Sequence, residues 1–405
     1  MKPPYDLIIR NGSIADGTGG PLREADVAVQ NGYIAEVGRV TSQGREEIDA
    51  TGLLVTPGIV GLHTHYDGQE TWDQRLIPPS WHGVTTAVMG NCGVGFAPVK
   101  AGDRERLLEL MEGVEDIPGE VLKEGLKWRW HSFGEYLDVL DTLPRDIDLC
   151  TQLAHGPLRM FVMGERAMAL EPATAEDIAR MRQLTAQALM QGALGFSTTR
   201  TINHRSASGE NTPSFRAHED ELSGIAMGLR DAGRGVFQFI SDWGSRGLEA
   251  EFAMMRRLVE RSGRPLSFSL GQMHARPDEW RRLLDLTQEA VNAGLDIRAQ
   301  IAPRSIAVLQ GLQGAGAAVE PELFLRLSVV RRARSAATAG QARRDAGPRL
   351  SRTPAARAAD SARVADRATT VVSGLHLPAY QSAGLRAFTR NVAASHRDPL
   401  RSDRG

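Results

Sequence analysis

The chain has 405 residues, 41 % of them hydrophobic, and a formal net charge of −1. That length allows one large domain or a large domain with a smaller partner, and the charge gives no reason to expect nucleic acid or an anionic membrane as a partner. Two cysteines, Cys92 and Cys150, exclude a disulfide framework; with no signal-type apolar stretch after Met1 and no run near the roughly 18 apolar residues of a membrane helix, a cytoplasmic protein is expected.

Residues 5–52 read as short strands between Gly-, Asp- and Asn-rich turns. Asp6–Arg10, Asp26–Gln30 and Tyr33–Val37 carry β-type patterns, and Asn11-Gly12 and Asn31-Gly32 are tight-turn dipeptides. Residues 1–56 are therefore expected to form a small β-sandwich module.

From residue 57 the pattern alternates between strand and helix. Apolar strands are expected at 58–63, 84–90, 147–154, 192–198, 235–241, 265–271 and 296–302. Amphipathic helices are expected at 174–190, 219–232, 249–262 and 277–293. Gly233, Gly263 and Gly294 stand where helix C-caps precede the next strand. This is the α/β pattern of a (β/α)₈ TIM-type barrel, incomplete at about seven strands, over 57–315.

The tail, 331–405, has another character. Arg331, Arg332, Arg334, Arg343, Arg344, Arg349, Arg352, Arg357, Arg363 and Arg367 stand among Ala, Ser, Thr and Pro, without sustained periodicity. Such a composition buries too little apolar area to offset its ordering entropy. Two readings compete: a basic disordered segment, and a frame shift or truncation of the gene. The second also explains why the barrel pattern stops before an eighth strand, and it is the one preferred.

His63 and His65 lie at i and i+2 at the C-terminal end of the first barrel strand, so both rings point to the same side. Two imidazoles there can chelate one ion on the face where barrel enzymes hold their sites; the alternative is a pair of ordinary turn histidines. Cys92 follows the second strand in a glycine-bounded turn, where it is either a thiolate ligand or a small buried side chain. His155 ends the third strand, placed either to support an oxyanion or to satisfy a neighbouring carbonyl. Arg200, His204 and Arg205 follow the fourth strand in a polar loop, where a guanidinium can hold a carboxylate in bidentate fashion or simply face solvent.

These motifs resemble the amidohydrolase superfamily: the N-terminal module, Val55-Thr-Pro-Gly58 and the His63/His65 pair. His63-Thr-His-Tyr-Asp-Gly-Gln69, Gly90-Asn-Cys-Gly-Val-Gly-Phe-Ala-Pro98, Ala154-His-Gly-Pro-Leu-Arg159 and Gly192-Ala-Leu-Gly-Phe-Ser-Thr-Thr199 are similar to its N-acyl-D-amino-acid deacylase (D-aminoacylase) branch, over about residues 4–315. The resemblance implies a module of the urease and hydantoinase type and one or two Zn²⁺ ions held by His63, His65 and Cys92. It also implies a carbonyl supported by His155 and a small N-acyl amino acid bound through Arg200, His204 or Arg205. The implied reaction is metal-assisted hydrolysis of a linear amide.

Two departures from the branch stand out. It places further metal-binding histidines at the ends of strands five and six; here those strands offer Gln238, Asp242 and Gln272, with His274 just beyond. The branch also carries an Asp after strand eight that binds metal and shuttles the proton. No matching segment follows Arg304, and Asp345, Asp360 and Asp366 have no strand before them. Activity of this chain is therefore less secure than its ancestry. A cyclic amidase is a rival reading, against which stands the lack of a lysine at 185–200 for a carboxylated bridging ligand; a defective barrel retained as a binding protein is another.

Overall fold

A computed structural model describes residues 4–273 and 276–302. The expected tail at 331–405, the end of the barrel to 315, His274, and the aspartates Asp345, Asp360 and Asp366 lie outside them.

The first strands, β1 (Tyr5–Ile14), β2 (Arg23–Gln30), β3 (Tyr33–Gly38), β4 (Gly44–Asp49) and β5 (Leu54–Val55), form one sheet in the order β3-β2-β1-β4, with β5 also on β1. Pairing is antiparallel for β1/β2 and β2/β3 and parallel for β1/β4 and β1/β5. Strand alternation puts Leu7, Ile9, Val27 and Val29 in one apolar cluster and Ile8 and Ala28 in another. Asn31-Gly32 is the β2–β3 turn, with φ of 52° and 80° as a primed turn requires. Asn11-Gly12 is not a turn. It is a bulge inside β1, where the register with β2 shifts between Ile9 and Gly12. A Cβ on Gly12 would lie 2.4 Å from Val55 Cγ2, so close packing rather than chain reversal demands glycine there.

The second sheet holds β6 (Ile59–Gly61), β7 (Val84–Met89), β8 (Asp148–Ala154), β9 (Gly195–Arg200), β10 (Val236–Ser241), β11 (Leu266–Ser269) and β12 (Ile297–Gln300). They lie side by side in chain order, and every pair from β6 to β11 is parallel. This curled seven-stranded parallel sheet is the expected incomplete barrel, each strand close to its expected place. The elements up to Ala299 belong to one unit, and a second begins at Gln300.

Helices cover the sheet. Those ahead of β8 are α1 (Arg104–Glu115), α2 (Gly119–Gly125) and α3 (Phe133–Asp141). Next come α4 (His155–Met163), α5 (Glu165–Met168), α6 (Ala175–Gln191) and α7 (Glu219–Ala232). The last are α8 (Trp243–Arg246), α9 (Leu248–Ser262) and α10 (Glu279–Asn292). Gly233 and Gly263 are C-caps with φ of 66° and 63°. Capping boxes start α3 at Ser132 and α6 at Thr174. Among the described residues no helix is long and apolar enough to cross a membrane.

Candidate metal centre

The strand pleat sorts β9 into two faces, and this decides what each candidate residue can reach. Ser197 and Thr199 point to the inside of the curled sheet: Ser197 Oγ accepts from Gly93 N at 3.0 Å and donates to Gly90 O, and Thr199 Oγ1 meets His204 Nδ1 at 2.9 Å. Thr198 and Arg200 point the other way. Thr198 Oγ1 meets His155 Nδ1 at 2.8 Å, and Arg200 Nη1 lies 3.2 Å from Glu251 on α9.

On the inner face, the turn Gly90–Gly93 is fastened by three neighbouring strands. Gln152 of β8 donates to Asn91 Oδ1 at 2.8 Å, and Gln238 of β10 accepts from Cys92 N at 3.2 Å. Ser197 completes the set, opposite Gln238 in the β9/β10 register. Gly90 has φ 74°, and a Cβ on it would lie 2.3 Å from Gln152 O, so only glycine lets the turn sit this deep. Cys92 itself holds φ 55°, a left-handed conformation unusual for a residue with a side chain, in a fully fastened turn.

Against this turn lie the two histidines that follow β6. His63 Nε2 is 3.1 Å from Cys92 Sγ, and the two imidazole centroids are 5.3 Å apart. One donor atom each from His63, His65 and Cys92 falls within 4.8 Å of the others. His63 is exposed, His65 half-buried and Cys92 buried, so the group opens to solvent on one side.

Glu115 and Asp67, which the motifs did not single out for a role, and His204, which was a candidate, act on this trio. Glu115, the last residue of α1, has Oε2 3.2 Å from His65 Nε2. Asp67 is 2 % exposed. His204, on the loop after β9, is held by Thr199 Oγ1 at 2.9 Å, and the charge of His63 acts on it.

Burial governs the electrostatics. It pushes Asp67 up to about 7, and Glu115, with the negative field of Asp67 added, up to about 8. The Cys92 thiol is pushed well up by burial and then by Glu115. His65 goes well down, and His204 down to about 4, by burial and then by the field of His63. Asp67 and Glu115 thus resist ionisation, and His65 and His204 resist protonation. A divalent ion would favour the thiolate, the carboxylates and the neutral imidazoles together. Buried polar atoms lacking a hydrogen-bond partner, His65 Nδ1, Asp67 Oδ2, Glu115 Oε1 and Gln238 Nε2, cluster in the same residues. The residues present therefore fit a metal ion.

The other candidates are placed differently. His155 is the first residue of α4, fully buried, with Nε2 2.9 Å from Glu221 and Nδ1 on Thr198, so both ring nitrogens are engaged by protein groups. Arg205 Nε and Nη1 donate to Ile202 O and Gly209 O at 3.1 and 3.0 Å within its own loop. At the end of strand five, Asp242 accepts from Thr201 Oγ1 at 2.6 Å and Ile202 N at 2.8 Å, shaping the turn before His204. Gln272 donates to Pro277 O at 3.0 Å.

Comparison with known proteins places this geometry in a family. The family model described as the amidohydrolase family matches residues 46–393. The D-aminoacylase of Alcaligenes xylosoxydans xylosoxydans is 35 % identical over 196 residues, 48 % of this chain and 38 % of that protein. A solved D-aminoacylase, described for the functional role of its binuclear metal centre, aligns with TM-score 0.59 at 28 % identity, covering 74 % of this chain and 59 % of that one. The N-acyl-D-glutamate deacylase of Bordetella bronchiseptica, solved with zinc and a phosphonate mimic of the tetrahedral intermediate, aligns with TM-score 0.58 at 25 % identity, covering 75 % and 59 %. The chain spans about two fifths of the length of the curated deacylases it matches.

Proposed function

The chain belongs to the amidohydrolase family, and from that premise we propose that it is a metal-dependent hydrolase of the linear amide of N-acyl-D-amino acids. The observation that carries the reading is the convergence of His63, His65 and Cys92 within 4.8 Å, at the ends of the first two barrel strands. Two imidazoles and a thiolate suit Zn²⁺, and the likeness to deacylases, one of them solved with zinc, supports the same choice.

His63, His65 and Cys92 would hold the ion. Its chemistry when bound is to polarise a carbonyl and to make water acidic enough to attack near neutral pH. The exposed side of the trio, at His63, is where an acyl group can approach. His204, carried by the loop after β9 and anchored on Thr199, is assigned to the substrate. Arg205 shapes the same loop through Ile202 O and Gly209 O. Arg200 stays paired with Glu251 on the other face of β9. His155, engaged at both nitrogens, acts on the site by fixing Thr198 and the start of α4 rather than by touching substrate. The Asp expected after an eighth strand lies outside the described residues.

Purified full-length chain should carry about one to two equivalents of zinc and release free amino acid from N-acetyl-D-amino acids, with chelation abolishing turnover. Less than about a tenth of an equivalent after zinc reconstitution would end the metalloenzyme reading. Turnover of hydantoins in place of the linear amides would move the chain to the cyclic amidases.

A further inference from the structure

We propose that Glu115 is a fourth protein donor of the metal centre, a carboxylate delivered by the C-terminal end of α1 rather than by a barrel strand. The inference rests on the reading of His63, His65 and Cys92 as metal ligands.

The first support is distance. A tetrahedral ion with bonds of about 2.0–2.2 Å separates its nitrogen and oxygen donors by about 3.3–3.6 Å. Glu115 Oε2 and His65 Nε2 are 3.2 Å apart, close to such an edge. The second is the state of the carboxyl. Glu115 Oε1 and Asp67 Oδ2 are both buried without a hydrogen-bond partner. A desolvated carboxylate oxygen with no donor needs a cation or a proton. The third is the helix. Glu115 ends the 12-residue α1, where the backbone dipole already places partial negative charge. A further carboxylate is unfavourable there by itself and favourable beside a cation.

Glu115 is also held in place. A Cβ on Gly113 would fall 2.2–2.4 Å from backbone atoms of Arg205, Ser206 and Ala207, so α1 packs backbone to backbone on the loop that carries His204. Ala207 N donates to Glu109 O at 2.9 Å across the same contact. The helix end cannot swing away without disrupting that loop. Strands β10 and β11 contain no histidine, and their inward Gln238 is committed to the amide of Cys92. A carboxylate from α1 then completes a set of two nitrogens, one sulfur and one oxygen, which suits Zn²⁺.

The test is Co²⁺ titration of the metal-free full chain, read by absorption, for the native protein, Glu115→Gln, Glu115→Asp and Cys92→Ser. The native chain should show a thiolate-to-cobalt charge-transfer band that Cys92→Ser loses. Glu115→Gln should keep that band, bind Co²⁺ more than about 100-fold more weakly, beyond the ~10–100-fold effect of an outer partner, and shift the visible d–d bands. Native affinity in Glu115→Gln, or weakened affinity with unchanged d–d bands, would place the carboxylate outside the coordination shell and overturn the proposal. If Glu115→Gln does not fold by circular dichroism, Glu115→Asp makes the same comparison: shifted d–d bands support ligation and unchanged ones overturn it. A native chain that binds no Co²⁺ overturns the metal-centre reading itself, and this inference with it.

Discussion

Cys92→Ala is expected to strip the protein of its metal, leaving less than about a tenth of an equivalent of zinc, while the chain stays folded. The thiol lies 3.1 Å from His63 Nε2, and its loss leaves only the two imidazoles of the trio. The turn that carries it survives, because its fastenings do not use the sulfur. Cys92 N donates to Gln238, Gly93 N to Ser197, and the Asn91 side chain bonds to Thr64 O, Val88 O and Gln152. Alanine also has a Cβ, so the left-handed backbone at this position is no more strained than before. Bound metal is worth several kcal/mol to the transition state, so amide hydrolysis should fall by at least about 10³-fold. Metal analysis beside thermal melting checks both halves. Stoichiometric zinc in the variant would show that the thiol is not a donor.

Glu221→Ala should instead destabilise the fold and spare the metal. Glu221 Oε1 receives Arg159 Nε at 2.8 Å and lies 2.9 Å from His155 Nε2, and Arg159 and His155 are fully buried. Removing the carboxylate leaves a buried guanidinium with only carbonyl acceptors, those of Pro213, Glu171 and Ala167. The cost of breaking such a pair is about 3–5 kcal/mol, roughly 10 °C in melting temperature for a chain of this size.

The pH dependence follows from the same network. Burial acts to raise the Glu221 pKa, but the hydrogen bond and charge of His155 and the charge of Arg159 outweigh it, and the net shift is downward. Burial lowers His155 as well. For both groups the unfolded chain binds more protons, so their contribution is present above the unfolded pKa and lost as pH falls through the folded one. The melting curves of Glu221→Ala and the native protein should therefore converge in acid, below the ordinary carboxylate value of about 4.3. A gap that stays constant from pH 7 to pH 3 would contradict this account. His155→Gln should likewise lower the melting temperature and retain zinc, since its contacts lie on the face of β9 away from Cys92.

The incomplete barrel and the His63/His65/Cys92 trio were legible without coordinates, because both rest on local rules. Strand and helix periodicities announce the alternation, glycines at Gly233 and Gly263 end the helices, and the His63/His65 pair follows directly on the first barrel strand. Asn11-Gly12 misled for the complementary reason. The dipeptide permits positive φ, and a bulge uses that freedom as readily as a turn does; pairing with β2 and contact with Val55 chose between them.

Arg200 and His155 show where local rules stop short. Both stand beside the strand ends that face the site, yet the pleat of β9 sends Thr198 and Arg200 outward, where α7 and α9 supply Glu221 and Glu251. Alternation says that Arg200 and Thr199 face opposite ways; which of the two faces the site follows only from the register with Gln238 and the cysteine turn.

By itself the amino-acid order determined the architecture and the candidate trio, since periodicity and motif spacing act over a few residues. Tertiary structure alone decided what surrounds that trio: Glu115 beside His65, Asp67 buried, and His204 held on Thr199. Glu115 and His65 are 50 positions apart in the chain, and only the packing of α1 on the 205–207 backbone brings them to 3.2 Å. That encounter is settled by shape and desolvation among distant elements, which no local pattern encodes.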